Sequence, residues 1–566
     1  MSKLTRPETH YARSGQINIA YQVFGSGKVD LIYIPGWVSN IDLMWECADL
    51  VDFFTKLSQN ARVILFDKRG TGLSDRIVNF ATLEDRMDDI RAVMNAAGSE
   101  KCILFGHSEG GSASVLFAAT YPSLVLGLIT FGIFAKRKYS DDYPWAPTEK
   151  ERQSVYKMIE NDWGGDEMQL ESLAPSKAND QVFMNWLARY FRSGASPGAA
   201  LFLTKMNTEI DIVDILGAIR VPSLILQRTG DIDVKLEEGR FVAAQIPNAR
   251  FVQLEGKDHL FWVGDTSSVL KEINEFIVHA KPKPTAIDGL YTVLDMHFFR
   301  EELEPLQNAV DRFAKHFEGK ILKQSKGHFS VAFKGSVNAV NCVFNLANHL
   351  QSHRTRLAAF LYMKNGLTQI KENQNVTDIV LRASLSTRKT TNQIFVSSVV
   401  KKMLHGTGLE FEAHESVLNP VTGDIPVLYR LKNKRSQFSP PKSSSYEMLT
   451  TQSSFMEKVY ETIHKHLENE SFGVEKLSNE LGISERQIQR KVKAFTNKSP
   501  GQLIILTRLN KAKELLAFNR YSIAEVAYQV GFSCPSYFSK LFKREFGENP
   551  SSVMLRLHSN TPTSRD

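Results

Sequence analysis

The 566-residue sequence predicts a multidomain chain of three folded parts. The first is an α/β fold, a mostly parallel sheet with a helical cap. The second is α+β. The third is all-α, with two helix-turn-helix units. Three observations carry this reading. Residues 1–280 alternate short β-rich apolar runs with helix-like stretches. "HAKPKPTAIDG", residues 279–289, reads as a linker, and mixed strand and helix sequence follows over 281–432. "NKRSQFSPPKSSSYEMLTTQSS", residues 433–454, is rich in Ser, Pro and Lys with little apolar periodicity, and reads as a flexible tether before a helical region at 455–560.

Composition narrows the class. Apolar residues make up 42% and charged residues 23%, values of a globular protein that folds in water. The net charge of +7 is mild for this length and by itself implies no nucleic-acid partner. Cys47, Cys102, Cys342 and Cys534 are far apart and form no Cys-x-x-Cys pair, which argues against a disulfide framework or a structural zinc site. "MSKLTRPETHYARSGQ" lacks the apolar core of a signal peptide, and no run approaches the roughly 20 apolar residues that span a bilayer. The expectation is a cytoplasmic protein, with no membrane partner and no cofactor.

In the first part the strands are "DLIYIPG", "RVILFDKRG", "KCILFGH", "LGLITFG", "PSLILQRTGD" and "ARFVQLEG", each ending at Gly, Asp or His. Between about 136 and 219 the sequence turns aromatic-rich and helical, as an insertion over the C-terminal edge of a sheet would. The third strand runs into Gly106-His107-Ser108-Glu109-Gly110, and "GGSASVLFAATYP" continues it as a helix. A strand, a tight turn and a helix are what a Gly-x-Ser-x-Gly nucleophile requires. The small residues permit the turn and set the Ser108 hydroxyl at a helix N-terminus, where backbone N–H groups stabilise a developing oxyanion.

A serine nucleophile needs a base, and the base a carboxylate to orient it. Asp231 follows the strand "SLILQRTG" and His259 follows "RFVQLEGKD", in the order Ser, Asp, His. Asp233 is a nearby competitor for the carboxylate. His107 is a second histidine, but it lies inside the turn and should point away from Ser108. The backbone N–H groups of Trp37, in the loop after an early strand, and of Glu109 are the candidate oxyanion donors.

Residues 20–280 resemble the α/β-hydrolase fold. The match rests on "YIPGWVSNIDLMWE", "FDKRGTGLSDR", "GHSEGG", "YPWAP", "ASPGAA", "QRTGDIDV" and "GKDHLFWVGD", all in order. Pro35 stands where many members carry His before the oxyanion glycine. The family covers esterases, lactonases, epoxide hydrolases and non-catalytic receptors, so the fold does not name a substrate.

The middle part carries strand-like "GLYTVLDM", "HFSVAFKG", "LAAFLYM" and "NQIFVSS". Its stretches at 318–350 and 376–411 resemble the class III nucleotidyl cyclase domain in length and strand order. The family's two metal-binding carboxylates do not carry over. His297 falls at the first position, with Asp295 two residues away, and Gly327 falls at the second. Of the family's transition-state pair, Asp378 replaces Asn and only Arg382 remains. The resemblance implies a degenerate domain without cyclase activity, serving pairing or coupling; a generic α/β spacer is the alternative.

In the last part Met456, Val459, Tyr460, Ile463 and Leu467 recur at helical spacing. Helix, turn and helix follow, with Leu477 and Leu481 inward, Gly482 ending the first helix and a Ser484/Gln487 capping box opening the second. Ile488, Val492 and Phe495 share one face; Arg486, Gln489, Arg490 and Lys493 share the other. After a connecting helix at about 501–518 the unit recurs. Ile523, Val526, Ala527 and Val530 face inward, Gly531 and Ser533 make the turn, and Pro535 opens the next helix. Phe538, Leu541, Phe542 and Phe546 are inward on that helix, while Ser536, Ser539, Lys540 and Lys543 point away. Residues 451–566 hold 17 Lys/Arg against 12 Asp/Glu, so much of the net charge lies here, as phosphate attraction favours.

"IAEVAYQVGFSCPSYFSKLFKREFGENPSS" is similar to the signature of the DNA-binding domain of AraC/XylS regulators. The resemblance implies two recognition helices in successive major-groove segments of double-stranded DNA. By position, Arg486, Gln489 and Arg490 match base-reading sites on the first helix, with Lys493 beside them; Pro535, Ser536 and Lys540 match on the second. The combined expectation is a transcriptional regulator whose hydrolase-fold part senses or processes a small ester, lactone or acyl ligand. An active serine hydrolase with an appended DNA-binding part is the alternative. Homodimerisation is expected from the cyclase-like part.

Overall fold

The computed structural model describes residues 5–76, 82–163, 165, 168–280, 289–298, 303–325, 327–351, 357–367, 393–414, 427–432, 459, 462–463, 465–496, 499–516, 522–546 and 548–558. The linker at 433–454, Met456, Tyr460, Asp378 and Arg382 lie outside these residues, as do the side chains of Arg490, Lys493 and Phe495. The chain divides into two compact units, Met1–Gln437 and Phe438–Asp566.

The first unit holds two sheets. One has eight strands: β1 (His10–Ser14), β2 (Ile17–Phe24), β3 (Val29–Ile34), β4 (Ala61–Phe66), β5 (Cys102–His107), β6 (Val125–Phe131), β7 (Ser223–Arg228) and β8 (Arg250–Leu254). Their order is β1-β2-β4-β3-β5-β6-β7-β8. β1 pairs antiparallel with β2, and β2 antiparallel with β4, while β3 to β8 run parallel to one another. Strands such as β5 and β7 are buried along their whole length, which is why they read as continuous apolar runs rather than alternations.

Helices cover both faces. α1 (Ala48–Leu57) and α9 (Thr266–His279) pack on one core; α2 (Leu83–Ala96), α3 (Glu109–Thr120) and α8 (Leu236–Gln245) pack on the other. The 136–219 insertion opens with a short turn region, where Ser140 and Tyr143 bridge, and becomes helical only from α4 (Glu149–Asp162). α5 (Gln181–Gly194), α6 (Pro197–Thr208) and the short α7 (Val213–Leu216) follow. Thr148 and Glu151 form a capping box on α4, and Pro197 opens α6, so both starts are written locally.

The second sheet is built from β9 (Leu290–Phe298), β10 (Lys320–Ser325), β11 (His328–Phe333), β12 (Leu357–Asn365), β13 (Gln393–Ser397), β14 (Phe411–His414) and β15 (Leu428–Leu431). Its order is β10-β11-β9-β12-β13-β15-β14. α10 (Leu303–His316) and α11 (Ser336–Gln351) complete a β-α-β-β-α-β succession from β9 to β12. His297 and Asp295 lie on β9, and Gly327 turns the β10–β11 hairpin at φ +74°.

The two sheet domains are docked. Glu84, in the first turn of α2, accepts from the backbone N–H groups of Ser336 (2.6 Å) and Val337 (3.0 Å) at the start of α11. Lys334 Nζ donates to the Thr120 carbonyl at 2.8 Å. Lys402 reaches back to Asp211 (3.0 Å) and Asp214 (2.6 Å), just beyond α6.

In the second unit, helices Val474–Glu480 and Glu485–Thr496 form the first helix-turn-helix, around Val459, Ile463, Phe472, Leu477, Ile488 and Val492. Helices Ile523–Gln529 and Pro535–Phe546 form the second, around Val526, Ala527, Val530, Phe538, Leu541 and Phe542. Ile523 and Phe546 pack against this core but are only half-buried, because they sit at the ends of their helices. The helix Pro500–Leu516 contributes to both cores.

Candidate functional site

Ser108 stands between β5 and α3 at φ 52°, ψ −124°. A non-glycine residue there is strained, at a cost of about 1–3 kcal/mol. The surroundings enforce it. The Ser108 N–H donates to the Phe131 carbonyl (2.8 Å) at the end of β6. Gly110 has no room for a side chain, since a Cβ would stand 2.2 Å from the Ile34 carbonyl oxygen. That contact presses the loop after β3 against the turn.

His259 and Asp231 meet, as the strand ends place them. Asp231 Oδ2 lies 2.7 Å from His259 Nδ1. Asp231 Oδ1 accepts from the backbone N–H groups of Asp233 (2.9 Å) and Val234 (3.1 Å), which fixes the carboxylate. The His259 loop is pinned from two sides. Its own N–H donates to the Leu173 carbonyl at 2.9 Å. The buried Arg228 guanidinium donates to the carbonyls of Asp258 (2.9 Å) and Leu260 (3.2 Å). Burial pulls the His259 pKa down, but the charge and hydrogen bond of Asp231, with Asp233 behind them, raise it above the usual value.

His107 points away from Ser108. Its Nε2 donates to the His259 carbonyl at 3.0 Å, and its Nδ1 lies 3.4 Å from the Tyr33 hydroxyl. Burial, with His259 beside it, lowers its pKa to about 3, so it is a neutral buttress under the His259 loop.

Trp37 and Glu109 flank Ser108 in the wall of one cavity. A buried ionic network that sequence reasoning missed ties them together. Lys68 Nζ donates to the Trp37 carbonyl (2.9 Å) and to Glu109 Oε2 (2.6 Å). Arg86 pairs with the same carboxylate, and Asn207 on α6 donates to it at 2.9 Å. The Trp37 indole N–H donates to Thr204 Oγ1 on α6 at 2.8 Å. "FDKRG" flagged Lys68 only as part of a motif; Arg86 and Asn207 arrive from α2 and α6, with no local signal.

The cavity measures about 230 Å³ and lies under α4, α5 and α6. Val155, Met158, Leu187, Phe191 and Trp262 give it apolar walls. Ser108, His259, Asp233, Arg137 and Arg152 also line it. Asp233 is held by Arg137, whose Nη2 lies 2.7 Å from Asp233 Oδ1. Burial raises the Asp233 pKa, but Arg137 outweighs it and leaves it at about 2. Asp233 Oδ2 also lies 3.6 Å from His259 Nε2, so it borders the imidazole at the nitrogen that Asp231 does not hold.

In the second unit Arg486 and Gln489 are exposed on the helix Glu485–Thr496. Ser484 and Gln487 exchange side-chain to backbone hydrogen bonds at 3.3 and 3.2 Å, the capping box the sequence implies. Ser536 and Lys540 are exposed on the helix Pro535–Phe546, and Pro535 is half-buried at its first position. Sequence reasoning missed Arg508. Its Nη2 donates to the Asn469 carbonyl at 2.6 Å, and its guanidinium lies 6.0 Å from the Phe532 ring. It thereby clamps one helix-turn-helix to the other.

Comparison with known proteins follows the same division. Residues 31–264 match the model of the alpha/beta hydrolase fold, and residues 477–556 match that of a helix-turn-helix domain. The chain is 22% identical over 269 residues to Strigolactone esterase D14 of Arabidopsis thaliana, covering 46% of this chain and 96% of that protein. It is 36% identical over 127 residues to Histidine kinase P4 of Formosa agariphila, covering 22% of this chain and 9% of that protein. It is 30% identical over 112 residues to the HTH-type transcriptional activator RhaS of Escherichia coli, covering 20% of this chain and 40% of that protein. The chain thus spans less than half of the last two relatives. An α/β-hydrolase-fold domain with esterase-like relatives is joined to a helix-turn-helix domain with relatives among transcriptional activators. Among the described residues no helix is long and apolar enough to cross a membrane.

Proposed function

We propose that the chain is a cytoplasmic, sequence-specific transcription regulator whose hydrolase-fold domain senses or processes a small ester, lactone or acyl ligand. The observation that carries this reading is the strained Ser108 sharing one cavity with His259, in a chain that ends in paired helix-turn-helix units. Ser108 Oγ attacks the ligand carbonyl and its proton passes to His259 Nε2. Asp231 holds the imidazole, and the N–H groups of Trp37 and Glu109 receive the oxyanion. Collapse expels the alcohol with the proton from His259; water then cleaves the acyl-serine to the acid. The DNA readers are Arg486, Gln489, Arg490 and Lys493 on one helix and Pro535, Ser536 and Lys540 on the other.

The experiment is labelling of purified full-length protein with a fluorophosphonate serine probe, with Ser108→Ala as control. Labelling confined to the wild type supports an activated nucleophile; none in either protein removes it. An active hydrolase with an appended DNA-binding domain is the second reading, favoured by the 2.7 Å Asp231–His259 contact. Ser108→Ala separates the two. A variant that loses turnover but keeps its ligand-dependent DNA retardation is a receptor.

The middle domain is assigned as a degenerate cyclase-like element that couples or pairs chains. Its β-α-β-β-α-β succession and the order β10-β11-β9-β12 support this. Gly327 and His297 supply no carboxylate for a metal at the two family positions. Conversion of ATP to cyclic AMP above a Gly327→Trp control would overturn the loss of cyclase chemistry. A monomeric mass by light scattering would remove homodimerisation.

A further inference from the structure

Among the described residues Arg152 has no carboxylate within ion-pair distance; Asp233, the acidic side chain that acts on it from farther off, is already paired with Arg137. Arg152 lies on α4, is 6% exposed, and lines the cavity that holds Ser108 and His259. Its Nε donates to Thr208 Oγ1 at 3.0 Å, and its Nη2 donates to Thr208 Oγ1 at 2.6 Å and to the Thr204 carbonyl at 3.3 Å. Tyr156 supports Thr208 by donating to the same oxygen at 2.8 Å. All these partners are neutral, and Nη1 donates to none of the described residues. The nearby Arg137 differs, because Asp233 neutralises it at 2.7 Å.

A buried guanidinium held only by neutral oxygens is costly. Replacement of the arginine by an apolar residue would complete the wall of Val155, Met158 and Leu187 more cheaply. The arginine is instead fixed in place by two threonines, with Nη1 donating to none of the described residues. An anionic group entering the cavity would supply a counter-charge at ion-pair distance, through charge-assisted hydrogen bonds of the strong kind.

We propose that the cavity takes an acyl ligand ending in a carboxylate, which Arg152 binds while the ligand's ester or lactone carbonyl lies at Ser108. This deepens the reading of the cavity as the ligand site and rests on it. Arg152 is the specificity-determining residue, and it selects against neutral acyl chains of equal length.

The test uses two esters of one chain length on the full-length protein. p-Nitrophenyl monoglutarate ends in a carboxylate and p-nitrophenyl valerate in a methyl group. Hydrolysis gives p-nitrophenol and glutarate or valerate. The expected kcat/KM ratio, glutarate over valerate, exceeds about tenfold in the wild type. It falls to near one in Arg152→Gln and is partly kept in Arg152→Lys. A wild-type ratio near or below one, or a ratio unchanged in Arg152→Gln, overturns the proposal while leaving the hydrolase reading intact. Should Arg152→Gln fail to fold, protection of wild-type Ser108 from the fluorophosphonate probe decides. Free glutarate should protect and glutaramide should not; equal protection overturns the proposal. Where neither ester turns over and the probe labels nothing, the nucleophile reading has failed separately. The readout is then the thermal shift produced by glutarate against that produced by glutaramide. A larger shift with glutarate supports the proposal, and equal shifts overturn it.

Discussion

Ser108 holds a backbone conformation that side chains avoid, and three separate elements keep it there: β5, the end of β6 and the loop after β3. Two predictions belong at this scale. The first concerns pH. In the proposed reaction His259 must be neutral to accept the Ser108 proton, so turnover should fall as pH drops through its pKa. Asp231 and Asp233 raise that pKa, placing the acid limb above the ordinary histidine value. Asp233→Asn removes one of the raising charges and should move the acid limb of kcat/KM down by about 0.5–1 pH unit; an unmoved limb would dismiss Asp233 as an influence on the base. The second concerns Glu109. Glu109→Ala strands the buried Lys68 and Arg86 without their shared carboxylate. It should lower stability by about 3–5 kcal/mol in chemical denaturation, as the loss of one member of a buried ionic cluster does.

At the scale of elements, the informative junction is α2 against α11. Glu84 accepts from the first N–H groups of α11, as an N-cap would, but from another domain. Burial pushes its pKa from 4.5 to about 7 against those two hydrogen bonds. A carboxyl whose folded pKa lies above its unfolded value contributes fully below the unfolded value. It loses that contribution as pH rises through the folded one. Glu84→Gln carries no such dependence. It should therefore gain on the wild type by about 1–3 kcal/mol between roughly pH 5 and pH 7.5, read from parallel urea titrations. A constant difference across that range would show that Glu84 titrates normally. The recognition helices also belong here. Gln489→Ala, on the exposed face of the helix Glu485–Thr496, should weaken specific DNA binding by about 1–3 kcal/mol while leaving non-specific binding alone. Uniform weakening on every sequence would make it a phosphate contact.

At the scale of the whole molecule, the two units divide within the Ser/Pro/Lys-rich stretch. Residues 438–566 have their own cores, joined through the helix Pro500–Leu516 and Arg508. This unit should fold alone and retard DNA at low salt, with affinity falling steeply as salt rises. Absence of retardation at low salt would count against DNA recognition by these helices. The hydrolase-fold and middle domains should instead respond together to ligand. α6 carries Thr204 and Asn207 in the cavity wall, and the segment just after it is gripped by Lys402 of the middle domain.

The sequence by itself determined the order of elements, because each signal is local. Continuous apolar runs mark the buried strands, Gly106 to Gly110 marks the turn, and the capping residues of α4 and at Ser484 and Ser522 mark helix starts. It also placed Ser108, Asp231 and His259 at the ends of three strands, and a parallel sheet brings such ends to one edge. Where the helical insertion begins was less legible, because its first dozen residues form turns rather than a helix. Tertiary structure alone decided the charge environment. Arg86, Asn207 and Arg152 lie on helices that nothing in their own neighbourhoods aims at the cavity. Their roles depend on which helix faces they share across tens to hundreds of residues of chain. Electrostatics in a buried cavity is a property of that assembled neighbourhood, where low polarisability makes each unpaired charge count.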